Sequence, residues 1–421
     1  MTAAVASHRR ILTASLVGTS VEFYDFYIYA TAAALVFPAL FFPSHDPSLQ
    51  QLLSYASFSV AFFARPLGGL VFGHFGDRMG RKSTLVASLM LMGVSTVLIA
   101  FLPTYAMIGW VAPVLLCVLR FGQGLGLGGE WGGASLLAVE NAPPGWRYRY
   151  GSFPPMGAPV GFLFANGFFL ILGALLSDDQ FREWGWRLPF LASAILVGLG
   201  LWVRVTLTET PAFVEAAQKA APPKVPIAEL FREHWLPTLA GTVATIACFA
   251  LFYISTVFII GYGTKTLGYD RETFLGLELG AILFMAAGIA VAAILADRGG
   301  ATRVLALGCI VTIPVGLTMA SLLPGGSLPS VFLWLAFALF TMGFVYGPLG
   351  GWLPSLFPAR VRYTGVSVTF NIGGIVGGGL TPLIAEALVT RSGLMSVGYY
   401  LAGAGMLSLI GLWMLRRRVA A

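Results

Sequence analysis

The sequence has 421 residues, 57% of them hydrophobic and only 10% charged, and its mean hydropathy is +0.83. A chain this apolar is excluded from the class of water-soluble domains of ordinary composition, so its solvent is lipid. Its 25 basic and 18 acidic residues give a net charge of +7, but in a membrane chain the placement of charge decides more than the total.

Apolar stretches long enough to cross about 30 Å of hydrocarbon as helices are expected, in chain order, at 12–41, 55–74, 83–102, 107–138, 151–175, 187–207, 236–262, 273–296, 303–323, 330–353, 363–389 and 394–415. The expected fold is therefore an all-α polytopic membrane protein, with twelve transmembrane helices in two six-helix bundles. The first span follows the basic segment Met1–Arg10 and is too long and too aromatic for a cleaved signal peptide, so it stays as the first helix. If both termini lie in the cytoplasm, the inner segments hold Arg9, Arg10, Arg78, Arg81, Lys82, Arg147, Arg149, Lys219, Lys224, Arg232, Arg298, Arg303, Arg360, Arg362 and Arg416 to Arg418. Only Arg182, Arg187, Lys265, Arg271 and Arg391 then lie outside, which by the positive-inside rule sets a multi-pass N-in, C-in orientation in an inner (plasma) membrane. Cys117, Cys248 and Cys309 fall within apolar spans and read as packing residues, with no disulfide framework or metal pair.

The longest polar interruption, Thr208 to Trp235, contains Pro211, Pro222, Pro223 and Pro226 and separates six spans from six. The expected domains are an N-terminal bundle at 1–207, a cytoplasmic linker at 208–234 and a C-terminal bundle at 235–421, with a short amphipathic surface helix at Ile227–Glu233. This is the plan of proteins whose two bundles rock about a central site. An echo supports the division: residues 73–82 (GHFGDRMGRK) follow the second span, and residues 296–303 (ADRGGATR) follow the eighth. Each places an acid before basic residues, Asp77 with Arg78 and Arg81, and Asp297 with Arg298. Such a carboxylate can cap an adjacent helix N-terminus while the cations sit at the lipid surface; a simple positive-inside turn is the other reading, which the repetition disfavours.

Residues 73–82 resemble the loop signature of the major facilitator superfamily, and further strings resemble its metabolite:proton symporter family: 22–29 (EFYDFYIY), 63–69 (FARPLGG), 120–124 (RFGQG), 128–134 (GGEWGGA), 184–190 (WGWRLPF) and 357–365 (FPARVRYTG). The resemblance covers essentially the whole chain. Among members it is most similar to the shikimate, α-ketoglutarate and proline/betaine transporters, the shikimate type being nearest around 120–140 and 184–204. It implies the major facilitator fold, alternating access, and spans one, four, seven and ten lining a central cavity. The chain departs from the pattern at 299–302, where Gly-Gly-Ala-Thr replaces a Gly-Arg-Arg-like run, so a lock on that side is expected to be weaker.

A charge at membrane depth costs at least about 2.5 kcal/mol on insertion scales, so the few present are functional candidates. Glu22 and Asp25, three positions apart, fall on one helical face. Two such carboxylates cannot both ionise comfortably away from water, which suits a proton-coupling site; solvation of Glu22 and simple pairing of Asp25 remain the other reading. Arg120, halfway along span four, is expected to pair with one of these acids and to offer its planar fork to a substrate carboxylate. Tyr24, Tyr27, Tyr253, Tyr346, Trp352 and Asn371 are the remaining substrate-binding candidates, although aromatic residues in a span also serve as packing. Glu130, among glycines, and Arg65, before Pro66, are expected in gating or structural roles, and Glu278 and Glu386 are weaker candidates near span ends. The cavity spans of the second half hold no mid-membrane cation, so a monocarboxylate, a polyhydroxylated acid such as shikimate or a zwitterion is favoured over a tricarboxylate.

No GxxxxGK[ST] run, HExxH or nucleophile elbow is present, so neither a nucleotide-driven pump nor an enzyme is expected. The expected partners are a small organic substrate, protons and the lipid bilayer, with no nucleic acid, cofactor or metal, in a monomer. A proton-independent facilitator or exchanger, or a solute sensor on the same scaffold, is the alternative.

Overall fold

The computed structural model describes the backbone of residues 2–79, 81–128, 130–206, 226–325, 327–358 and 361–416, and side chains within these except at 2–11, 14, 73–79, 81–85, 203–206, 226–227 and 416. Every long apolar stretch is helical. The passes are α1 (Thr2–Leu35), α2 (Pro47–Met79), α3 (Arg81–Ile99), α4 (Val111–Glu140), α5 (Arg147–Leu175), α6 (Arg187–Thr206), α7 (Trp235–Lys265), α8 (Arg271–Gly299), α9 (Ala301–Leu322), α10 (Leu328–Ser355), α11 (Arg362–Ser392) and α12 (Leu394–Arg416). Among the described residues nine helices are long and apolar enough to cross a membrane by themselves, and a tenth forms if the turn Asp178–Gly185 and Arg187–Trp202, bent by 45°, count as one. In lipid every backbone polar group must be satisfied within the segment, which is why the passes are helices.

Local chemistry sets the ends. The expected first span, 12–41, breaks at Val36, and Phe37–Phe41 forms a separate turn, because Pro38 has no N–H to bond the carbonyl of Ala34 and its ring crowds that turn. Likewise α4 starts at Val111 rather than 107, after the turn Tyr105–Ile108 and Gly109 at φ 62°. The expected surface helix spans Pro226–Glu233, whereas linker residues 208–225 lie outside the described residues.

The helices form two bundles whose packing repeats six passes apart. In the first, α1 packs on α5, α2 on α4 and α3 on α6; in the second, α7 packs on α11, α8 on α10 and α9 on α12. The bundles meet along two seams, α2 against α11 and α5 against α8. Glycine permits the tightest contact: a Cβ on Gly68 would stand 2.0 Å from the Leu125 carbonyl oxygen, and one on Gly128 would stand 2.0 Å from that of Arg65. Thus α2 and α4 touch backbone to backbone beside both buried arginines. Two passes also carry a π turn at the seam, Ile254–Phe258 in α7 and Ile375–Gly379 in α11, irregularities that recur at functional sites.

Candidate transport site

Arg120 lies at the centre of the first bundle and is fully buried. Its Nη1 donates to Gln123 Oε1 at 3.0 Å and its Nε to the Phe58 carbonyl at 3.4 Å, while Nη2 has no hydrogen-bond partner. The guanidinium stands 4.0 Å from the Tyr29 ring centroid, 4.3 Å from Phe26 and 4.9 Å from Phe58. Cation–π contacts of this kind are worth about 0.5–2 kcal/mol each, and here they take the place of a counter-ion. Arg120 makes no ion pair among the described residues, so the expected pairing with Glu22 or Asp25 is corrected. The physical reason is azimuth: Phe26 and Tyr29, not the acids, are the α1 side chains turned toward α4.

Asp25 points instead toward α3 and α6. The Ser193 hydroxyl donates to its Oδ1, the Thr96 side chain faces the same carboxylate, and Oδ2 has no partner. Gln123 Nε2 donates to Thr96 Oγ1 at 2.8 Å, and Gln123 accepts from Arg120. Gln123 thus bonds both Arg120 and Thr96, and Thr96, whose own hydroxyl donates to the Met92 carbonyl at 2.9 Å, stands beside Asp25, so the cation and the acid are neighbours through two side chains rather than by contact. Glu22 is 7% exposed and lies in the electrostatic reach of Arg65 on α2.

Arg65 also reaches the centre. Its guanidinium stands 4.5 Å from the Phe26 ring and 4.6 Å from the Phe62 ring. The centre of the molecule thus holds two cations against one phenylalanine ring, not the single cation the sequence suggests. Tyr253 closes the far wall, with ring centroids 5.5 Å from Phe58 and 5.4 Å from Phe62, and Tyr27 packs against Phe252 at 5.2 Å. The other candidates serve elsewhere. Tyr24 donates to the Pro189 carbonyl at 2.9 Å and so faces α6, and Trp352 Nε1 donates to Thr302 inside the second bundle, so neither is turned to the centre. Glu130 accepts from Ser88 at 3.0 Å, tying α4 to α3.

Contacts between bundles close the site on both sides. At the end carrying the α8–α9 connection, Asp297 accepts from the backbone N–H of Tyr148 at 2.8 Å and of Arg149 at 3.2 Å, and from Arg149 Nε at 2.7 Å. Asn371 Nδ2 donates across the seam to the Gly128 carbonyl at 2.9 Å, which makes it a bundle contact rather than a cavity group. Trp131 stacks on Phe370 at 3.6 Å and donates to the Tyr346 hydroxyl at 3.1 Å. Arg298 is exposed, and the side chains of Asp77, Arg78 and Arg81 lie outside the described residues. At the α7–α8 end, Tyr55 donates to the Val257 carbonyl at 3.0 Å, Ser59 donates to the Gly379 carbonyl, and Arg271 pairs with Asp178 at 3.2 Å. The arrangement is an occluded one, with its charged centre sealed from both ends. Glu229, Glu233 and His234 bring potential metal-ligand atoms within 4.8 Å of one another on the linker helix, but both glutamates have other polar contacts and the trio is far from this centre in the chain.

Gln123, Thr96 and Ser193 are the site residues that sequence reasoning missed. Gln123 alone had a visible signal, being an amide in an apolar span one turn from Arg120.

Buried cations facing the partner bundle, in two pseudo-repeated bundles joined by separate contacts at each end, fit the plan of a transporter whose halves rock about a central site. Comparison with known proteins agrees. Residues 11–224 match the family described as "Sugar (and other) transporter". The chain is 50% identical over 413 residues to the "Inner membrane metabolite transport protein YhjE" of Escherichia coli (strain K12), covering 97% of this chain and 94% of that one. It is 38% identical over 414 residues to the "Shikimate transporter" of the same organism, covering 97% and 94%. Its fold is similar to that of the major facilitator superfamily proton:xylose symporter XylE bound to 6-bromo-6-deoxy-D-glucose, with a TM-score of 0.75 at 17% identity over 98% of this chain and 96% of that one. The chain belongs to the sugar (and other) transporter family, and its fold is that of the major facilitator symporters. It is a multi-pass membrane transporter of metabolites.

Proposed function

We propose that the chain is a proton-coupled symporter of a small organic acid or zwitterion, acting by alternating access in the inner membrane with both termini cytoplasmic. The single observation that carries this reading is the buried row Arg120, Gln123, Thr96 and Asp25. It sets a cation with an unused donor edge near a carboxylate held by hydroxyls alone.

The chemistry runs as follows. Arg120 Nη2 is the donor left for a substrate carboxylate, and a planar guanidinium can take such a group in a two-point fork. With Arg120 making no ion pair among the described residues, a monoanionic or zwitterionic solute suits its free donor edge. Aromatic side chains Phe26, Tyr29 and Tyr253 supply the apolar walls. Asp25 carries the proton: protonated, it can stay among Ser193 and Thr96 in the occluded state; ionised, it is an unpaired buried charge that demands water or further donors. Re-aiming Thr96 and Gln123 toward an ionised Asp25 withdraws the acceptor from Arg120, which couples proton release to the hold on the solute. The bundles at 1–207 and 235–421 rock about this centre, Asp297 with Arg149 serving as the latch at the cytoplasmic end. Asp77 with Arg78 and Arg81, and Arg298, are assigned to the same gating surface, and Tyr27, Tyr346 and Asn371 to the walls and seam that move with it.

Uptake of labelled shikimate, α-ketoglutarate, short monocarboxylates, proline and betaine into vesicles holding the purified protein tests this. One solute is expected to accumulate only under an inward proton gradient, with Asp25→Asn sparing downhill exchange while abolishing accumulation. Accumulation indifferent to the gradient would instead identify a facilitator.

A further inference from the structure

A second buried acid lies outside this centre. Glu278 sits in α8, seven residues beyond Arg271, so about 10 Å along the helix from its first turn. It is 0% exposed, and neither carboxylate oxygen has a hydrogen-bond partner. Glu130 and Asp25 each accept a hydroxyl; Glu278 has nothing. A carboxylate buried without a single donor contributes no stability in either protonation state, and within a membrane bundle such a group points to function.

Polar side chains stand near Glu278, though none is hydrogen-bonded to it. Glu278 is within electrostatic reach of the Tyr55 hydroxyl, as is Glu386. Tyr55 enters from α2 and crosses the seam into the second bundle, where its hydroxyl donates to the Val257 carbonyl in the π turn of α7. Gly261 makes the room, since a Cβ there would stand 2.6 Å from the Tyr55 hydroxyl oxygen and 3.6 Å from Gln51 Nε2. Gln51 in turn accepts from Lys265 Nζ at 2.5 Å. Gln51, Gly261, Lys265 and Glu386 line a cavity of about 300 Å³ between the bundles. The other titratable side chains at this end include Asp46 before α2, Asp178, Asp179, Arg182 and Glu183 in the α5–α6 connection, Arg187 on α6, Tyr262 on α7, Tyr269, Asp270, Arg271 and Glu272 at the start of α8, Arg391 on α11 and Tyr400 on α12; the outer halves of α5, α9 and α10 carry no charged residue.

We propose that Glu278 is a second proton-carrying side chain, loaded from the cavity at the α7–α8 end through Gln51 and Tyr55, and that its ionisation draws the Tyr55 hydroxyl away from Val257. Each loading moves one proton from cavity water onto a Glu278 oxygen, and only O–H bonds change. Because Tyr55 is at once the relay and a bond between the bundles, the charge on Glu278 sets whether this end stays closed. The inference extends the proton-coupled reading to a second carboxylate but does not need Asp25 to be the coupling group.

The test is infrared difference spectroscopy of the reconstituted protein at neutral pH, following the carbonyl stretch of protonated carboxylic acids and its shift on transfer to deuterated water. Glu278→Gln, nearly isosteric, is expected to lose one such band; Tyr55→Phe is expected to keep that band but slow its deuterium shift. Asp25→Asn removes a different band, so a protein that moves none of the tested solutes would defeat the symport reading while leaving Glu278 to be judged by its own signal. A spectrum unchanged by Glu278→Gln overturns the proposal, and so does a Glu278 band that exchanges in Tyr55→Phe as fast as in the unmodified chain.

Discussion

The latch at Asp297 offers the most quantitative perturbation. Its carboxylate is almost fully buried, at 2% exposure, and receives two backbone N–H groups at the start of α5 besides the Arg149 side chain. In Asp297→Asn, the amide oxygen can still accept from Tyr148, but the NH2 group then opposes both donors of Arg149. Hydrogen bonds to a charged group contribute about 1.5–3 kcal/mol each; Arg149 is partly in solvent, so its ion pair belongs near the lower end. A net loss of about 2–3 kcal/mol converts to roughly a 30- to 150-fold shift in the ratio of closed to open forms at this end. Spin labels on exposed Glu140→Cys and Arg303→Cys, with the native cysteines replaced, lie on opposite bundles near the latch and report their separation by pulsed dipolar spectroscopy. The distance distribution in Asp297→Asn is expected to move to longer values, and Arg149→Ala should move it the same way. An unchanged distribution in both variants refutes the latch and leaves Asp297 as a local helix cap.

Other substitutions test the remaining physics. Gly68→Ala forces a methyl against the Leu125 carbonyl and is expected to cost about 1–3 kcal/mol or more of stability, seen as a lower melting temperature in detergent; Gly167→Ala, with open space around its Cβ, should leave it unchanged. Arg120→Lys should fail to restore uptake despite keeping the charge, since an ammonium cannot stack on Tyr29 and Phe26 while bonding Gln123, and recovery of transport in that variant would argue against the fork. Asp270 caps α8 by accepting from the Thr273 N–H at 2.8 Å, and the hydrogen bonds from Thr273 hold its carboxyl below the usual range. The folded state thus favours the ionised form, so the cap is fully present above the ordinary aspartate range and is lost as pH falls through the lowered value. Asp270→Ala is expected to cost about 1 kcal/mol at neutral pH, and thermal unfolding should show this difference shrinking in acid.

Hydropathy made the twelve passes legible, because a lipid-spanning helix writes its length directly into composition. The same physics exposed Arg120 and Asp25, whose charges stand out in apolar surroundings. Their partners were not legible. Ser193 and Thr96 carry little hydropathy signal, and which side chains Asp25 or Arg120 meets depends on helix azimuth and packing that a single pass does not encode. Tyr24 and Trp352 fail for the same reason: each is the right chemistry on the wrong side of its helix. Arg65 was read through the adjacent proline, although the aromatic side chains around it decide its role. The acid of the second loop was recognisable as an echo of Asp77, but its partner Arg149 belongs to the other bundle and appears only once the α5–α8 seam is formed.

The most direct test of coupled transport is to add solute to vesicles containing the protein, with no gradient imposed, and to follow lumenal pH with an entrapped dye. Acidification of the lumen that requires both the transported solute and Asp25 is the expected result. Entry of the labelled solute with no movement of protons would contradict the account, leaving a facilitator built around Arg120.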